Sequence, residues 1–197
     1  SLHAARNEVV AYQLQIRGPA KGIKVTCSDL KGPAVIAADK DVEICKQWYL
    51  NVQVNSSNKD STTAGYNMGK GWYADALIPV TAGDGFGQPF DIPDRMNNIP
   101  EQQWQGVWVD IYVPRDVPAG EYAGTVTVTG ESLDDTTLPI RLNVYEVTLS
   151  DDYACEVGLN NYGSIGRKGS AKRLRYYQMA HRHRMAIHEH FISPKVE

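Results

Sequence analysis

The chain has 197 residues, 20 basic and 23 acidic, and a net charge of −3, so it can bury a substantial core. It is too nearly neutral for nucleic acid or an anionic membrane surface to be the main partner. No run approaches the roughly 20 apolar residues that a membrane span requires.

The start, Ser1-Leu2-His3, has no initiator Met and no basic-then-apolar leader, so the expectation is a removed signal or a piece of a longer protein. Residues 8–17 alternate Val10, Tyr12, Leu14 and Ile16 against Val9, Ala11, Gln13 and Gln15, which predicts a strand closed by Gly18-Pro19. Ile23, Val25 and Cys27 alternate with Lys24 and Thr26 in a second strand, closed by Lys31-Gly32-Pro33. A third pattern over 41–54 is long enough to need a bulge or to be two short strands. Three cysteines are too few for a disulfide scaffold. Cys27 and Cys45 could pair if their strands face each other; otherwise they and Cys155 read as small buried hydrophobes.

Residues 55–70 are polar and aperiodic, which predicts a long surface loop. Pattern returns over 71–79, and 81–103 is a second long connection rich in Gly, Pro, Asp and Asn. Such loops either carry function or wrap the domain and cover sheet edges. The stretch 107–130, VWVDIYVPRDVPAGEYAGTVTVTG, predicts two strands. Val107, Val109, Ile111 and Val113 share one face of the first, with Trp108, Asp110 and Tyr112 opposite. Tyr122, Val126 and Val128 share one face of the second, with a Thr-rich face opposite. Pro114, Pro118 and Gly120 can turn the chain, and the expected form is an antiparallel hairpin with one wet side. Asp134-Asp135 marks a turn, and 138–149 predicts a last strand. Seven or eight strands before Ser150 predict a mainly β chain with an antiparallel, immunoglobulin-like β-sandwich over 1–150.

After Ser150 the character changes. Residues 154–159 predict a short strand, Ser170 an N-cap, 171 to about 185 a helix, and 186–192 a strand ended by Pro194. Strand, helix, strand implies a parallel βαβ unit. A lone unit of this kind cannot cover its own strands, and about 45 residues remain where a (β/α)₈ barrel needs roughly 200 or more.

Trp108-Val109-Asp110-Ile111-Tyr112-Val113-Pro114 followed by Pro118-Ala119-Gly120-Glu121-Tyr122-Ala123-Gly124-Thr125-Val126 resembles the W-V-D-x-Y-V-P … P-A-G-x-Y-x-G-T-V pattern. That pattern marks the N-terminal β-sandwich of glycoside hydrolase family 123. Residues 5–14 and 73–79 agree with it. The resemblance implies that 151–197 is the first βαβ segment of an incomplete (β/α)₈ barrel, with 177–185 its first helix running toward strand two. It implies an extracellular, periplasmic or cell-surface glycosidase of β-N-acetylhexosaminides, working without a cofactor by a substrate-assisted, retaining mechanism. The family's adjacent Asp-Glu pair, on a later barrel strand, has no counterpart, because no Asp-Glu dipeptide occurs here. Asp134-Asp135 and Asp151-Asp152 fall in a turn and a linker, and Glu156 and Glu189 lie 33 positions apart. The expectation is therefore a scaffold with no catalytic residue of its own, inactive alone and completed by the rest of the barrel or by another chain.

Asn160, Asn161 and Tyr162 follow the predicted strand 154–159, at what would be a barrel's active-site rim. Amide and phenol groups both donate and accept hydrogen bonds, which suits hydroxyl-rich or N-acetyl ligands, though Asn and Gly also make plain turns. His188 and His190 share a strand face and could line the same lumen. His181 and His183, two apart on a helix, point about 200° apart and cannot chelate one ion. No metal site is expected. Asn160, Asn161, Tyr162, His188 and His190 are thus the candidate substrate-binding residues, with an N-acetylhexosamine-containing glycan as partner. Trp72 and Trp104 border the long loops and could stack on sugars or pack under loops; Trp108 is expected in the core. Arg167, Lys168, Lys172, Arg173 and Arg175 read as a solvated helix start. The competing reading is a non-catalytic, extracellular structural or glycan-binding sandwich module.

Overall fold

The computed structural model describes residues 1–54, 69–131, 133–152, 157–161, 165, 167 and 169–189. In chain order the elements are β1 (Leu2–Arg6), β2 (Glu8–Arg17), β3 (Ala20–Cys27), β4 (Leu30–Lys31), β5 (Val35–Ile36), α1 (Ala38–Asp41), β6 (Val42–Val52), β7 (Gly71–Pro79), β8 (Phe90–Ile92), β9 (Trp104–Val113), β10 (Gly120–Thr129), β11 (Thr136–Thr148), β12 (Gly158–Asn161), α2 (Ala171–Arg182) and β13 (Ala186–Glu189). The described residues are mainly β. It divides into two compact units, Ser1–Val147 and Thr148–Glu197. No described helix is long and apolar enough to cross a membrane.

In the first unit, one sheet runs β1-β11-β10-β3-β8, with β4 on β10 and β5 on β4, and the other runs β2-β9-β6-β7. Eleven strands precede Ser150 among the described residues, more than the seven or eight expected. The excess is in β1, β4, β5 and β8, which are two to five residues long, too short to display a period. The two sheets share one core. Ile23, Val25, Tyr122, Val126, Leu142 and Val144 come from the larger sheet, and Ile16, Val107, Val109, Ile111 and Val113 from the smaller. All four inward apolar side chains of β9 are 0% exposed, and each such burial is worth about 1.5–3 kcal/mol. β9 is therefore the spine of its sheet, held between β2 and β6.

The expected hairpin over 107–130 does not form. β9 pairs with β2 and β6, whereas β10 pairs with β11, β3 and β4 in the other sheet. The chain crosses the core as an arch. Hairpin and arch present the same alternation, because in either case each strand turns one apolar face inward. The difference lies in the connection: Val117 is buried within it, and the Tyr122 hydroxyl donates to the carbonyl of Pro118 at 2.7 Å. Trp108 also departs from expectation. It lies on the outer row of β9, half-buried, and its indole N–H donates to Asp110 Oδ1 at 2.7 Å.

The long pattern over 41–54 resolves into the single strand β6, whose register on β7 shifts between Trp48 and Tyr49, a bulge. The predicted loop over 55–70 lies almost wholly outside the described residues. Cys27 and Cys45 are free thiols on strands of different sheets, and Cys155 lies outside the described residues. Burial raises the Cys27 thiol to about 11, with Asp29 adding to the shift. Burial also raises Cys45 to about 12, helped by Glu43 and Asp110.

Tyr12, on the inward row of β2, has a buried hydroxyl with no hydrogen-bond partner among the described residues. Burial, then the nearby Cys27, pushes its ionisation well above the ordinary phenol range. An unsatisfied buried hydroxyl opposes folding. Tyr12→Phe is accordingly expected to leave stability unchanged or raise it by about 1 kcal/mol, readable as a rise in the urea midpoint. A loss above about 1 kcal/mol would mean that the hydroxyl is satisfied after all.

Candidate functional site

In the second unit, β12 and β13 pair in parallel, with α2 between them in sequence. The register sets Gly158 opposite Ala186, Leu159 opposite Ile187, Asn160 opposite His188 and Asn161 opposite Glu189. Asn160 and Asn161 thus form the end of their strand rather than the turn after it. The parallel pairing brings Asn160, Asn161 and His188 to the same, C-terminal, edge of the two strands. Tyr162 and His190 lie outside the described residues, as do 154–156 and 190–192 of the predicted strands. The ring of His188 lies over Gly158: a Cβ there would meet its Cδ2 and stand 2.6 Å from Nε2. Gly158 therefore makes the room that this imidazole occupies.

Helix α2 starts where Ser170 Oγ accepts the Arg173 N–H at 3.3 Å, the expected cap. It ends at Arg182, short of the expected 185, for a visible reason. Arg184 has φ 59°, its N–H returns to the His181 carbonyl, and the Met185 N–H returns to Ala180. That is a Schellman closure with arginine where glycine is usual. Arg184 is held in this position by its guanidinium, which donates to the Ser150 carbonyl at 2.6 Å. Of the helix side chains only Ala180 is buried; Leu174, Tyr176, Tyr177 and Met179 are exposed, Leu174 at 58%. Among the described residues no three His, Cys, Asp or Glu side chains are grouped to hold a metal.

The best-defined polar constellation lies in the first unit and was not anticipated. Lys46 and Asp94, 0% and 3% exposed, form an ion pair at 2.5 Å. Asp94 also accepts the N–H groups of Met96 (2.8 Å) and Asn97 (3.2 Å), and its own N–H donates to Gln102 Oε1 at 2.7 Å. Gln102 donates onward to Gln105 Oε1 at 2.9 Å and to the Trp104 carbonyl at 3.0 Å. Gln105 donates to the Gln47 carbonyl at 2.8 Å. At the bulge, the Asn97 side chain accepts from the Tyr49 N–H at 2.8 Å and donates to the Tyr49 carbonyl at 2.9 Å, as a neighbouring strand would. The chemistry is that of an anchor. It pins the long 81–103 connection to β6 and β9. The sequence carries one signal for it: Lys46 falls on the inward row of Val42 and Ile44.

The two tryptophans bordering the loops are both on the smaller sheet. Trp72, on β7, is 36% exposed. Trp104, the first residue of β9, is 50% exposed and is the cross-strand partner of Arg17, whose guanidinium carbon lies 5.7 Å from its ring centre.

The described residues thus comprise a mainly β unit, with two antiparallel sheets around one core, and a second unit that holds a parallel βαβ segment. A sequence model described as the glycoside hydrolase 123 N-terminal domain matches residues 1–130. The chain belongs to that family. No curated protein matches it. Among solved structures, it is similar to a family 123 glycoside hydrolase from Clostridium perfringens, described in connection with glycolipid glycan hydrolysis. The two are 13% identical, with a TM-score of 0.48 over 76% of this chain. The match covers 23% of that enzyme's length.

Proposed function

We propose that this chain is the N-terminal part of a secreted or cell-surface glycoside hydrolase acting on β-linked N-acetylhexosaminides. The first unit is an immunoglobulin-like sandwich that braces a (β/α)₈ barrel. The segment β12–α2–β13 is that barrel's first βαβ unit. Asn160, Asn161, Tyr162, His188 and His190 line one side of the sugar pocket, where amides and imidazoles exchange hydrogen bonds with hydroxyl and acetamido groups. The acid–base Glu and the Asp that orients the acetamide belong to a later strand, so these 197 residues bind without cleaving. Membership of the family supports the sugar chemistry. The observation that carries the placement is the parallel register, which sets Asn160 and Asn161 beside His188 and Glu189 at the end of the strands where barrels keep their reactive groups. The exposed Leu174, Tyr177 and Met179 fit a helix awaiting neighbours.

The test compares the full-length parent with this 197-residue stretch on p-nitrophenyl β-N-acetylgalactosaminide and β-N-acetylglucosaminide. The parent should release nitrophenol and the stretch should not. Asn161→Ala and His188→Ala in the parent should lower kcat/KM by at least about 10-fold, the loss of one or two hydrogen bonds to the transition state. Hydrolysis by the stretch alone, or a parent inert to both glycosides, would refute the proposal.

A further inference from the structure

The larger sheet of the first unit carries an open cleft of about 560 Å³, lined by His3, Glu121, Ala123, Arg141 and Asn143 among others. We propose that this cleft is an accessory glycan-binding site that takes an acidic sugar, one bearing a carboxylate or a sulfate. The register of β10 on β11 sets Ala123 opposite Arg141 and Glu121 opposite Asn143. Residues opposite one another on antiparallel strands point to the same side, as do residues two apart on one strand, so all four rise from one face. That face is the solvent side, because Ala123 and Arg141 are exposed while Tyr122 and Leu142, between the two pairs, are buried. Ala123 also stands opposite Lys31 of β4, at the cleft's margin. The short alanine is thus flanked by two cations on neighbouring strands, whose backbones lie about 10 Å apart. An oxyanion over Ala123 meets both, and a guanidinium grips a carboxylate or sulfate through two parallel hydrogen bonds.

The remaining lining groups suit the rest of a sugar. The Asn143 amide donates and accepts, and the Glu121 carboxylate accepts from hydroxyls. The His3 ring is fixed by Tyr145, which stacks on it at 5.8 Å and places its hydroxyl 3.0 Å from Nδ1, leaving Nε2 for a ligand. Among the described residues Lys31, Arg141 and Glu121 are in no ion pair, so their charges are uncommitted. Two cations against one carboxylate leave the cleft positive, which favours an anion over a neutral polyol or a cation. Membership of a glycoside hydrolase family makes a sugar rather than a peptide the carrier of the acid group. The floor is rigid: Tyr122 and Leu142 are each 1% exposed, and the Tyr122 hydroxyl is tied to the Pro118 carbonyl. A rigid floor lowers the ordering cost that weakens small-ligand binding.

The experiment is calorimetric titration of the 197-residue chain, and of the full-length parent beside it, with sialyllactose, lactose sulfate and a hyaluronan tetrasaccharide. Lactose and sodium sulfate are the controls for the sugar and for the anion alone. At least one acidic sugar should bind both proteins with a Kd of about 1 mM or tighter, and at least about 10-fold tighter than either control. Arg141→Ala should weaken that binding at least about 10-fold, the loss of a bidentate, charge-assisted contact. Ala123→Glu, which sets a carboxylate opposite Arg141, should weaken it as much. Asn143→Ala should cost at least about 3-fold. Lys24→Ala removes an exposed cation of the same sheet about 20 Å along β10, opposite Thr129, and should change nothing. Should Arg141→Ala perturb the fold by circular dichroism, Ala123→Glu, at an exposed position, carries the test. The proposal is overturned by acidic sugars that do not bind, by lactose or sulfate binding as tightly, by binding indifferent to Arg141→Ala and Ala123→Glu, or by binding to the 197-residue chain that the parent lacks. The readout is binding alone, so it stands or falls separately from the hydrolysis proposed for the parent.

Discussion

Asp94→Ala should destabilise the first unit by about 3–5 kcal/mol, a large share of what a domain of this size possesses. The reason is the fate of Lys46. Its ammonium is fully buried, with Asp94 as its salt-bridge partner and the Phe90 ring 5.5 Å away. Remove the carboxylate and an uncompensated charge remains in the core, while the N–H groups of Met96 and Asn97 lose their acceptor. Asp94→Asn should recover part of the second loss and none of the first. The double variant Lys46→Met/Asp94→Leu should be markedly more stable than Asp94→Ala, because neither charge is then left behind. Urea unfolding of the four proteins gives the comparison. A loss below about 1 kcal/mol for Asp94→Ala would mean that water reaches Lys46 and that the loop is not anchored through it.

The second large effect is alkaline instability. The folded state holds the Cys45 proton up to about pH 12 and the Cys27 proton up to about 11, against 9.0 for an unperturbed thiol. Both pKa values are raised on folding, so the folded protein binds more protons than the unfolded chain between pH 9 and 12. Stability is therefore complete below pH 9 and falls as pH rises through this window. Cys45, whose thiol is raised further, accounts for the larger share of the fall. Cys45→Ala should flatten the decline when the urea midpoint is followed from pH 8 to 11.5, at some packing loss at neutral pH. An unchanged slope in that variant would place the alkaline transition elsewhere. The same raised values should keep both native thiols nearly inert to iodoacetamide at pH 8, since the thiolate is the nucleophile.

Much of the architecture could be read from period-two rows. Val10, Tyr12, Leu14 and Ile16 on β2, and Val107 to Val113 on β9, face inward as their alternation says. What alternation cannot supply is the identity of the neighbour. It does not distinguish an arch from a hairpin, so the crossing at Pro114 to Ala119 was legible only through Val117. The Lys46–Asp94 pair was hidden because its members lie 48 residues apart, and a charge in a strand is ordinarily read as solvent-facing. The candidate sugar pocket was legible as residue chemistry near a strand end. Its geometry, with Asn160 beside His188, required the register of two strands that are 28 residues apart in sequence at their paired positions.

The pairing of β2 with β9 joins Glu8 to Val113 and Arg17 to Trp104. A ribosome adding about 5–20 residues per second therefore leaves β2 without its partner for on the order of 10 s. During that interval β2 has an open edge, the template on which a nascent chain mispairs with its neighbours. For this topology β2 is made long before the strand that protects it, and chaperone capture should concentrate on residues 8–17.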